Sequence, residues 1–463
     1  MATGRRSAAG SALRSRRPPA GSCDKCTRSA PSALRARPHP EAARACGNLT
    51  QMKKSVPVAE LKMGMYVAEL DRPWTETPFM FQGFYLETDE QLETLKQYCK
   101  TVFVDPDPPK LAEPIALRPR AMPRPAARSG ASQLDLSRIG KVRYVEQAPV
   151  EREVKQAEVA YKSTTKLASE AVEAVRAGRT LDAPSVEQAV RSMTESVLRN
   201  PDALLLFSQL KEKGDYTTSH AVDSAVYMTA FGRFLQLPAE DISLLGYLGL
   251  LQDVGKTRLP TELLNKRNRL SEAEFAQAKQ HVQYSVEILS NTPGLPPGLG
   301  ELALLHHERQ DGSGYPKGLK GRDIGLLGSI AGIIDTFDAL TARRPYAEPV
   351  PPSAALSMLY KWRGSFFDPV LIEQFIRCIG IFPLGSTVEL NSGEIGIVIA
   401  QNLEKRLQPR VMVIRDAAGN PLKPQKLLDL SRGLKAPDGE PYRIRRTLEY
   451  GRIPVTADSL FND

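Results

Sequence analysis

The chain has 463 residues, 41% of them apolar, and a formal net charge of +9. A chain of this length holds about two to four domains, and its apolar content supports packed cores, which excludes a wholly disordered protein. Residues 1–51 carry ten Lys or Arg and two acidic residues, or +8, so the rest of the chain sums to +1. A nearly neutral body gives no reason to expect binding to a nucleic-acid polymer.

The first 51 residues are rich in Arg, Ala, Ser and Pro and have almost no periodic apolar pattern. They fit a basic targeting leader, or they precede a true start at Met52, where "MKKSVPVAELKMGMYVAELD" reads like an ordinary protein beginning. We favour the second interpretation, and in both cases we expect residues 1–51 to be disordered. The "CDKC" at 23–26 lacks a second Cys/His pair at a familiar spacing, so no structural metal is expected there.

Composition and periodicity divide the rest of the chain into four parts. Residues 52–104 alternate apolar and polar residues around a helical segment at 89–100, which predicts a small α+β domain. Residues 105–145 are rich in Pro, Arg and Ala and predict a flexible linker. Residues 146–380 have helical periodicity, and residues 381–463 change to short β runs with turn signals. We therefore predict a multidomain, mainly α-helical protein with a small α+β module before the helical domain and a β-rich module after it.

The first long helix is predicted over 151–178, where Val154, Val159, Leu167 and Val172 form an apolar stripe. Helices within 151–213 are candidates for pairing with a second copy as a homodimer. Their heptads are short, however, which favours packing within one chain.

The cysteines and the apolar runs bear on the compartment. Five scattered cysteines argue against a disulfide framework and favour the reducing cytoplasm. We take "ISLLGYLGLL" at 242–251 as the best apolar run, and it has about half of the roughly 20 residues that cross a bilayer. The sequence therefore predicts a cytoplasmic protein without a membrane span.

Four of the five histidines fall within an 88-residue stretch, and two aspartates in apolar surroundings lie within it or shortly after it. These six residues are His220, Asp253, His281, His306, His307 and Asp335. Imidazole with carboxylate is the ligand mixture that suits Fe, Mn or Zn. A single buried histidine is usually a hydrogen-bonded core residue, but neighbours on a helix point about 100° apart, so His306 and His307 would not both be ordinary core residues. The glycines of the following "DGSGYP" permit turns with positive φ, and together these features favour a metal centre.

Several motifs within residues 200–380 resemble the HD-GYP family of cyclic di-GMP phosphodiesterases, a bacterial branch of the HD hydrolases. In chain order they are "YTTSHAVDSAVYM" (216–228), "LLQDVGKTRLP" (250–260), "HVQYSVEIL" (281–289), "HHERQDGSGYP" (306–316) and "IAGIIDTFDALTARRPY" (330–346). The segments before and after also resemble modules that accompany some members. The resemblance implies an all-helical, metal-dependent hydrolase core that opens cyclic di-GMP to linear pGpG, with GMP as an open second product.

The resemblance further implies six ligands for two divalent metals, with Fe or Mn expected. These ligands are His220, Asp253, His281, His306, His307 and Asp335. Asp253 would bridge the metals, and Lys256 would meet the phosphate and stabilise transition-state charge, so these two are the catalytic candidates. Tyr216, four residues before His220, is not a carboxylate, and a ligand for a third metal is therefore not expected.

The resemblance implies four residues in substrate binding: Lys256, Gly314, Tyr315 and Arg344. Arg344 would bind the other phosphate or a guanine, and the neighbouring Arg343 is an alternative. Tyr315 would pack against the substrate or hold the loop. Glu308 would orient a ligand imidazole, and Asp338 would position Lys256 or act as a local cap. The loop that contains Gly314, Tyr315 and Pro316, called the GYP loop below, is also a candidate contact for signalling proteins.

The chain departs from the family pattern where the HD pair becomes Gln252-Asp253. A glutamine amide is a neutral and weak oxygen donor, so one metal position loses a strong ligand, which weakens metal binding and turnover. Because the other motif residues are present, we favour a working or weakened enzyme. The alternatives are a cyclic di-GMP sensor that acts through protein partners and an HD hydrolase with another nucleotide substrate, against which the GYP loop argues.

Overall fold

The chain is described here in a computed structural model. It describes residues 54–72, 77, 79, 84–105, 134–210, 216–266, 268–342, 349–448 and 455–461.

A small antiparallel sheet with one helix forms the N-terminal module. Its strands are β1 (Lys54–Pro57), β2 (Tyr66–Leu70), β3 (Phe84–Tyr85) and β4 (Thr101–Asp105), in the spatial order β1-β4-β2-β3, and its helix is α1 (Asp89–Tyr98). Thr88 caps α1 in a reciprocal capping box with Gln91. The alternation in "TVFVD" directs Val102 and Val104 to the same face of β4, where they are buried in a hydrophobic core that is separate from the core of the helical body. The module has the predicted α+β character.

Helices make up the body of the chain. They are α2 (Val150–Arg176), α3 (Ala183–Arg199), α4 (Pro201–Leu210), α5 (Tyr216–Phe234), α6 (Ala239–Leu251), α7 (Thr261–Leu264), α8 (Glu272–Ser290), α9 (Leu299–Ala303), α10 (Gly325–Thr341), α11 (Pro352–Lys361) and α12 (Pro369–Ile379). Two of these, α5 and α6, pack side by side along most of their length and meet α10. The packing of these three helices buries His220, Asp253 and Asp335 inside the helical body.

The apolar stripe predicted for α2 is wrong in one position. Val159 is 67% exposed. The buried face of α2 keeps the predicted Val154 and adds Ala157, Ala160, Tyr161 and Thr164, and it packs against α3, α4 and α5. A stripe of large apolar residues does not include the alanines, although their small side chains allow α2 to approach three neighbouring helices closely.

A second antiparallel sheet follows the helices. Its strands are β5 (Thr387–Leu390), β6 (Ile395–Ala400), β7 (Arg410–Arg415), β8 (Pro421–Asp429) and β9 (Ile444–Thr447), in the order β8-β7-β6-β5-β9, and α13 (Ala457–Phe461) lies beyond them. The sheet shares one continuous hydrophobic core with the helices. Gln401 fastens the junction, since its backbone N–H donates to Asp202 Oδ2 at 2.7 Å and its side chain donates to the Phe382 carbonyl.

One apolar segment among the described residues, Gly321–Thr341, is long enough to cross a membrane by length and composition. It is longer than the apolar run at 242–251, which the sequence predicted to be the best candidate. It includes α10, and 83% of it is buried inside the protein. Core helices pass the same test, so the segment is weak support for a membrane span.

Candidate metal centre

Six polar side chains from five places in the helical body converge on one buried region. His220 lies on α5, Asp253 follows α6, His281 lies on α8, His306 and His307 follow α9, and Asp335 lies on α10. All six are less than a tenth exposed. The two adjacent histidines lie in a turn past the end of α9, not on the helix, so both rings are buried on the same side.

The residues form two groups of possible metal ligands that share one carboxylate. In each group the donor atoms all lie within 4.8 Å of one another. One group is Asp253, His281, His306 and His307, and the other is His220, Asp253 and Asp335. The membership of Asp253 in both groups is the arrangement that a carboxylate bridging two metals requires.

Backbone carbonyls fix two of the imidazole rings. The Nδ1–H of His281 donates to the Ala278 carbonyl at 2.7 Å, and that of His306 donates to the Ala303 carbonyl at 2.6 Å. Each ring then presents its Nε2 to Asp253 Oδ1, at 3.3 and 3.6 Å respectively. A hydrogen bond at one ring nitrogen sets the tautomer, so the other nitrogen keeps the lone pair that a metal needs.

His220 is held at both ring nitrogens by carboxylates. Its Nδ1–H donates to Asp338 Oδ2 at 2.6 Å. Its Nε2 lies 3.1 Å from Asp253 Oδ2 and 3.2 Å from Asp335 Oδ1. Asp335 and Asp338 are about one turn apart on α10, so two carboxylates on the same face of this helix contact the two nitrogens of the His220 ring. Asp253 Oδ2 also forms an ion pair with Lys256 Nζ at 2.6 Å.

The electrostatics keep the carboxylates charged and two of the imidazoles neutral. Burial by itself would raise the pKa of the Asp253 carboxyl, but Lys256 and the surrounding histidines outweigh burial and hold that pKa well below its usual range. The pKa of Asp335 is likewise lowered, because His220 outweighs the effect of burial. Burial lowers the pKa of His281 and of His307. Ionised carboxylates and neutral imidazoles are the protonation states that metal binding requires.

Several donor atoms of the centre are buried without a partner. In the described part of the chain, no hydrogen-bond partner is present for Asp253 Oδ1, His281 Nε2, His306 Nε2 or His307 Nδ1. Buried polar atoms are rarely left in this condition, since each unsatisfied group costs about 1–3 kcal/mol. Four such atoms from one ligand group fit a bound divalent metal, and the donor set of imidazole and carboxylate is chemically suited to it.

The loop after the paired histidines is fixed by Glu308. Its two carboxylate oxygens accept backbone N–H groups from Lys317 at 2.7 Å and Leu319 at 2.9 Å. A Cβ on Gly314 would overlap the backbone of His307 and Glu308. The glycine is therefore needed for a close approach of the loop to the ligand turn.

Tyr315 covers one side of the centre. Its ring lies 4.6 Å from the ring of His307, with 31° between the planes, and contacts Phe275 edge-on at 6.0 Å. The ammonium of Lys279 lies 5.8 Å from the same ring. Burial raises the pKa of the Tyr315 hydroxyl, so the residue is a neutral phenol at physiological pH.

Comparisons with known proteins agree with this geometry. A family model described as an HD domain matches residues 206–371, a KOW domain associated with the HD domain matches 387–436, and a domain of unknown function (DUF3391) matches 53–186. The chain is 32% identical to the cyclic di-GMP phosphodiesterase PA4108 of Pseudomonas aeruginosa, over 82% of this chain and 90% of that protein. The chain belongs to the HD-GYP family.

Two further relatives of this HD-GYP chain match over shorter lengths. The cyclic di-GMP phosphodiesterase response regulator RpfG of Xanthomonas campestris is 36% identical over 42% of this chain and 52% of that protein. The 3'3'-cGAMP-specific phosphodiesterase 2 of Vibrio cholerae is 34% identical over 37% of this chain and 33% of that protein. The relatives thus carry names for two related cyclic dinucleotides.

The structure brings together most of the site residues that the sequence of this HD-GYP chain predicted. The six predicted ligands meet in the two groups, and Lys256, Gly314 and Tyr315 lie around them. Their roles stay predictions. Arg343 and Arg344 lie outside the described residues.

Two predicted supporting roles are wrong. Glu308 does not orient a ligand imidazole, because both of its oxygens hold the loop backbone. Asp338 does not position Lys256, because its carboxylate accepts the Nδ1–H of His220. The contact of Asp338 with His220 could have been predicted from the spacing, since Asp338 is three residues after Asp335 and therefore lies on the same helix face.

Sequence reasoning also missed two residues of this HD-GYP site. A Cβ on Gly255 would overlap the backbone of α8 at His281 and Ser285, so this glycine lets the turn with Asp253 approach the helix of its partner histidine. The buried guanidinium of Arg309 donates to the carbonyls of His306 and Glu308 and fixes the ligand turn. A glycine two residues after the aspartate was a visible sign of a close contact.

Proposed function

We propose that this HD-GYP chain is a metal-dependent phosphodiesterase that hydrolyses cyclic di-GMP to linear pGpG, with GMP as an open second product. The observation that carries the proposal is the membership of Asp253 in both ligand groups. Two metals about 3.5–4 Å apart can clamp a phosphodiester between the attacking and leaving oxygens. The relative that this chain matches over most of its length is named a cyclic di-GMP phosphodiesterase.

The ligands proposed for the two metals divide along the observed groups. His281, His306 and His307 with Asp253 hold one, and His220 and Asp335 with Asp253 hold the other. When bound, such a pair polarises the scissile phosphodiester and lowers the pKa of water. Imidazole and carboxylate donors together suit Fe or Mn, which are the metals proposed here.

The chain's own residues position and stabilise the phosphate. Lys256 holds its ammonium 2.6 Å from Asp253 and is a quarter exposed, so it can reach a phosphate oxygen at the mouth of the centre and offset negative charge in the transition state. Tyr315, stacked near His307, excludes water from one side and offers a ring face to a base. Glu308 holds the GYP loop in place. Arg344 is proposed for the second phosphate or a guanine.

A second candidate function is supported by one observation. Gln252 stands where the family has a histidine, which weakens one ligand group. A centre that fails to keep both metals would bind cyclic di-GMP without turnover and act as a sensor through protein partners, with the GYP loop as a candidate contact. The otherwise complete ligand set, with all six predicted ligands present in the two groups, favours the enzyme over the sensor.

The remaining proposals concern setting and assembly. We place the protein in the cytoplasm, with cyclic di-GMP as its partner and no binding to nucleic-acid polymers. The two cysteines in the described residues, Cys99 and Cys378, are free thiols, which fits a reducing compartment. Helices α2, α3 and α4 pack against one another within the chain, and a homodimer through this region is the alternative assembly.

Turnover of the full chain tests the function. The protein is purified anaerobically, its Fe, Mn and Zn are quantified, and cyclic di-GMP and 3'3'-cGAMP are incubated separately with it in excess Mn²⁺ before chromatography. We expect pGpG from cyclic di-GMP, lost in His306→Ala and Asp253→Asn. Glu287→Gln, a half-exposed α8 residue paired with Arg258, is the matched control and should keep the activity. Metal-loaded protein that binds cyclic di-GMP but releases no product would establish the sensor instead.

A further inference from the structure

Gln252 is a buried amide without a hydrogen-bond partner. Its exposure is 0%, and neither its Oε1 nor its Nε2 has a partner among the described residues. Its backbone N–H donates to the Leu248 carbonyl at 2.8 Å, which fixes the residue at the end of α6. An amide buried in this way costs about 1–3 kcal/mol or more unless something satisfies it. Gln252 directly precedes Asp253, the residue shared by both groups, and its amide oxygen is a donor that a hard divalent metal accepts.

The two ligand groups then differ in chemistry. The group around His281, His306 and His307 has three imidazoles and one carboxylate. The group around His220 has one imidazole and two carboxylates, one donor residue fewer than the other group, and the amide oxygen of Gln252 is assigned to it to bring the number to four. Imidazole-rich sites suit Fe and Zn, whereas carboxylate and carbonyl oxygens suit Mn and Mg. One position is therefore nitrogen-rich and the other oxygen-rich.

The two groups also differ in how completely the protein has prepared them. In the nitrogen-rich group, four donor atoms are buried with no other partner in the described residues. In the oxygen-rich group, His220 Nε2 and Asp253 Oδ2 already face each other at 3.1 Å, and Lys256 occupies the same carboxylate oxygen at 2.6 Å. A metal in that group must compete with an existing ion pair, which lowers its affinity.

We propose that the centre is unequal: the position of the three histidines keeps its metal tightly, and the position completed by Gln252 binds a hard divalent ion, Mn²⁺ by preference, weakly and reversibly. The proposal deepens the proposed phosphodiesterase function and rests on it for its biological meaning. Activity of the protein would then follow the free Mn²⁺ concentration, because only the doubly loaded centre clamps the phosphodiester.

Metal counting on the full chain tests this without any assay of turnover. After metal loading and exhaustive dialysis, we expect the wild-type protein to retain about one equivalent of Fe. A Mn²⁺ titration followed by electron paramagnetic resonance should show one further, reversible equivalent. Retention of two equivalents by the wild-type protein, or two Mn²⁺ sites of equal affinity, would overturn the proposal with no variant involved.

Two substitutions of similar size identify the role of the amide. Gln252→His should move the protein to nearly two retained equivalents. Gln252→Leu should leave the retained equivalent in place and weaken the reversible Mn²⁺ site at least about tenfold, since even indirect changes around a ligand reach that size. If a water satisfies the amide instead of a metal, Gln252→Leu will leave Mn²⁺ affinity unchanged, and that result would refute the role of Gln252.

The same samples separate this proposal from the proposed function. Cyclic di-GMP turnover is measured for the wild type and for Gln252→His at saturating Mn²⁺. If the metal counts follow the expectation but neither protein makes pGpG, the unequal centre stands and the phosphodiesterase function fails. If both proteins turn over the substrate but the wild type retains two metals, the function stands and the unequal centre fails.

Discussion

Asp338 is expected to control metal binding at a distance from the metal itself. Its carboxylate accepts the Nδ1–H of His220 at 2.6 Å. The partner fixes which ring nitrogen is free and how the ring is turned. We therefore predict that Asp338→Ala and Asp338→Asn weaken the metal position that contains His220 and leave the position of the three other histidines intact.

The size of the effect follows from the burial of the pair. The side chains of His220 and Asp338 are 4% and 5% exposed, so water does not replace the lost interaction. A hydrogen bond to a charged group contributes about 1.5–3 kcal/mol, which is about 10- to 100-fold in an equilibrium constant. Asparagine keeps an acceptor oxygen but loses the charge, so we expect about a tenfold loss for Asp338→Asn and up to about 100-fold for Asp338→Ala.

The assay is turnover of cyclic di-GMP as a function of Mn²⁺, together with metal counts. In both variants the Mn²⁺ concentration for half-maximal activity should rise, activity should recover at high Mn²⁺, and the retained equivalent should persist after dialysis. Asp323→Asn, an exposed position just before α10, is the control and should match the wild type. An activity loss that excess Mn²⁺ does not restore would mean that Asp338 acts on the fold alone and would refute the reasoning.

Three further outcomes are expected. Glu308→Gln removes the charge that holds the Lys317 and Leu319 N–H groups, so hydrogen exchange over the GYP loop should rise and kcat/KM should fall about tenfold with metal content unchanged; unaltered exchange would contradict this. Tyr315→Phe should retain activity and Tyr315→Ala should lose most of it, because the contact with His307 uses the ring and not the hydroxyl; equal loss in both would point to the hydroxyl. Burial raises the pKa of Asp202 from 3.8 to about 7, so its contribution to stability is full below pH 4 and declines until about pH 7. Asp202→Asn should therefore raise the free energy of unfolding at pH 8, by up to about 4 kcal/mol at about 1.4 kcal/mol per pKa unit, and raise the melting temperature there but not at pH 4; a pH-independent change would refute the buried acid.

The ligand residues could be predicted because each one is a chemically rare choice in its own segment. Histidine and aspartate interrupt apolar helical periodicity at His220, Asp253 and Asp335, and residue type alone indicates the chemistry there. The direction of a side chain is not contained in that pattern. Glu308 was expected to face an imidazole, and it faces the loop backbone instead. Periodicity also undervalued small residues, and so the exposed Val159 was assigned to a face that alanines occupy.

A change of one ligand need not destroy this centre, because three of the remaining donors each have their own support. His281 and His306 are held by carbonyls within their own segments, and His220 is held by Asp338 on a different helix. None of these supports passes through Gln252. Replacing a histidine by glutamine at that position therefore changes how strongly a metal is bound and leaves the positions of the other donors where the fold puts them. The proposed unequal centre follows from this: we expect loss of one imidazole to act on metal affinity and selectivity, and a supply of free metal ions to compensate for it.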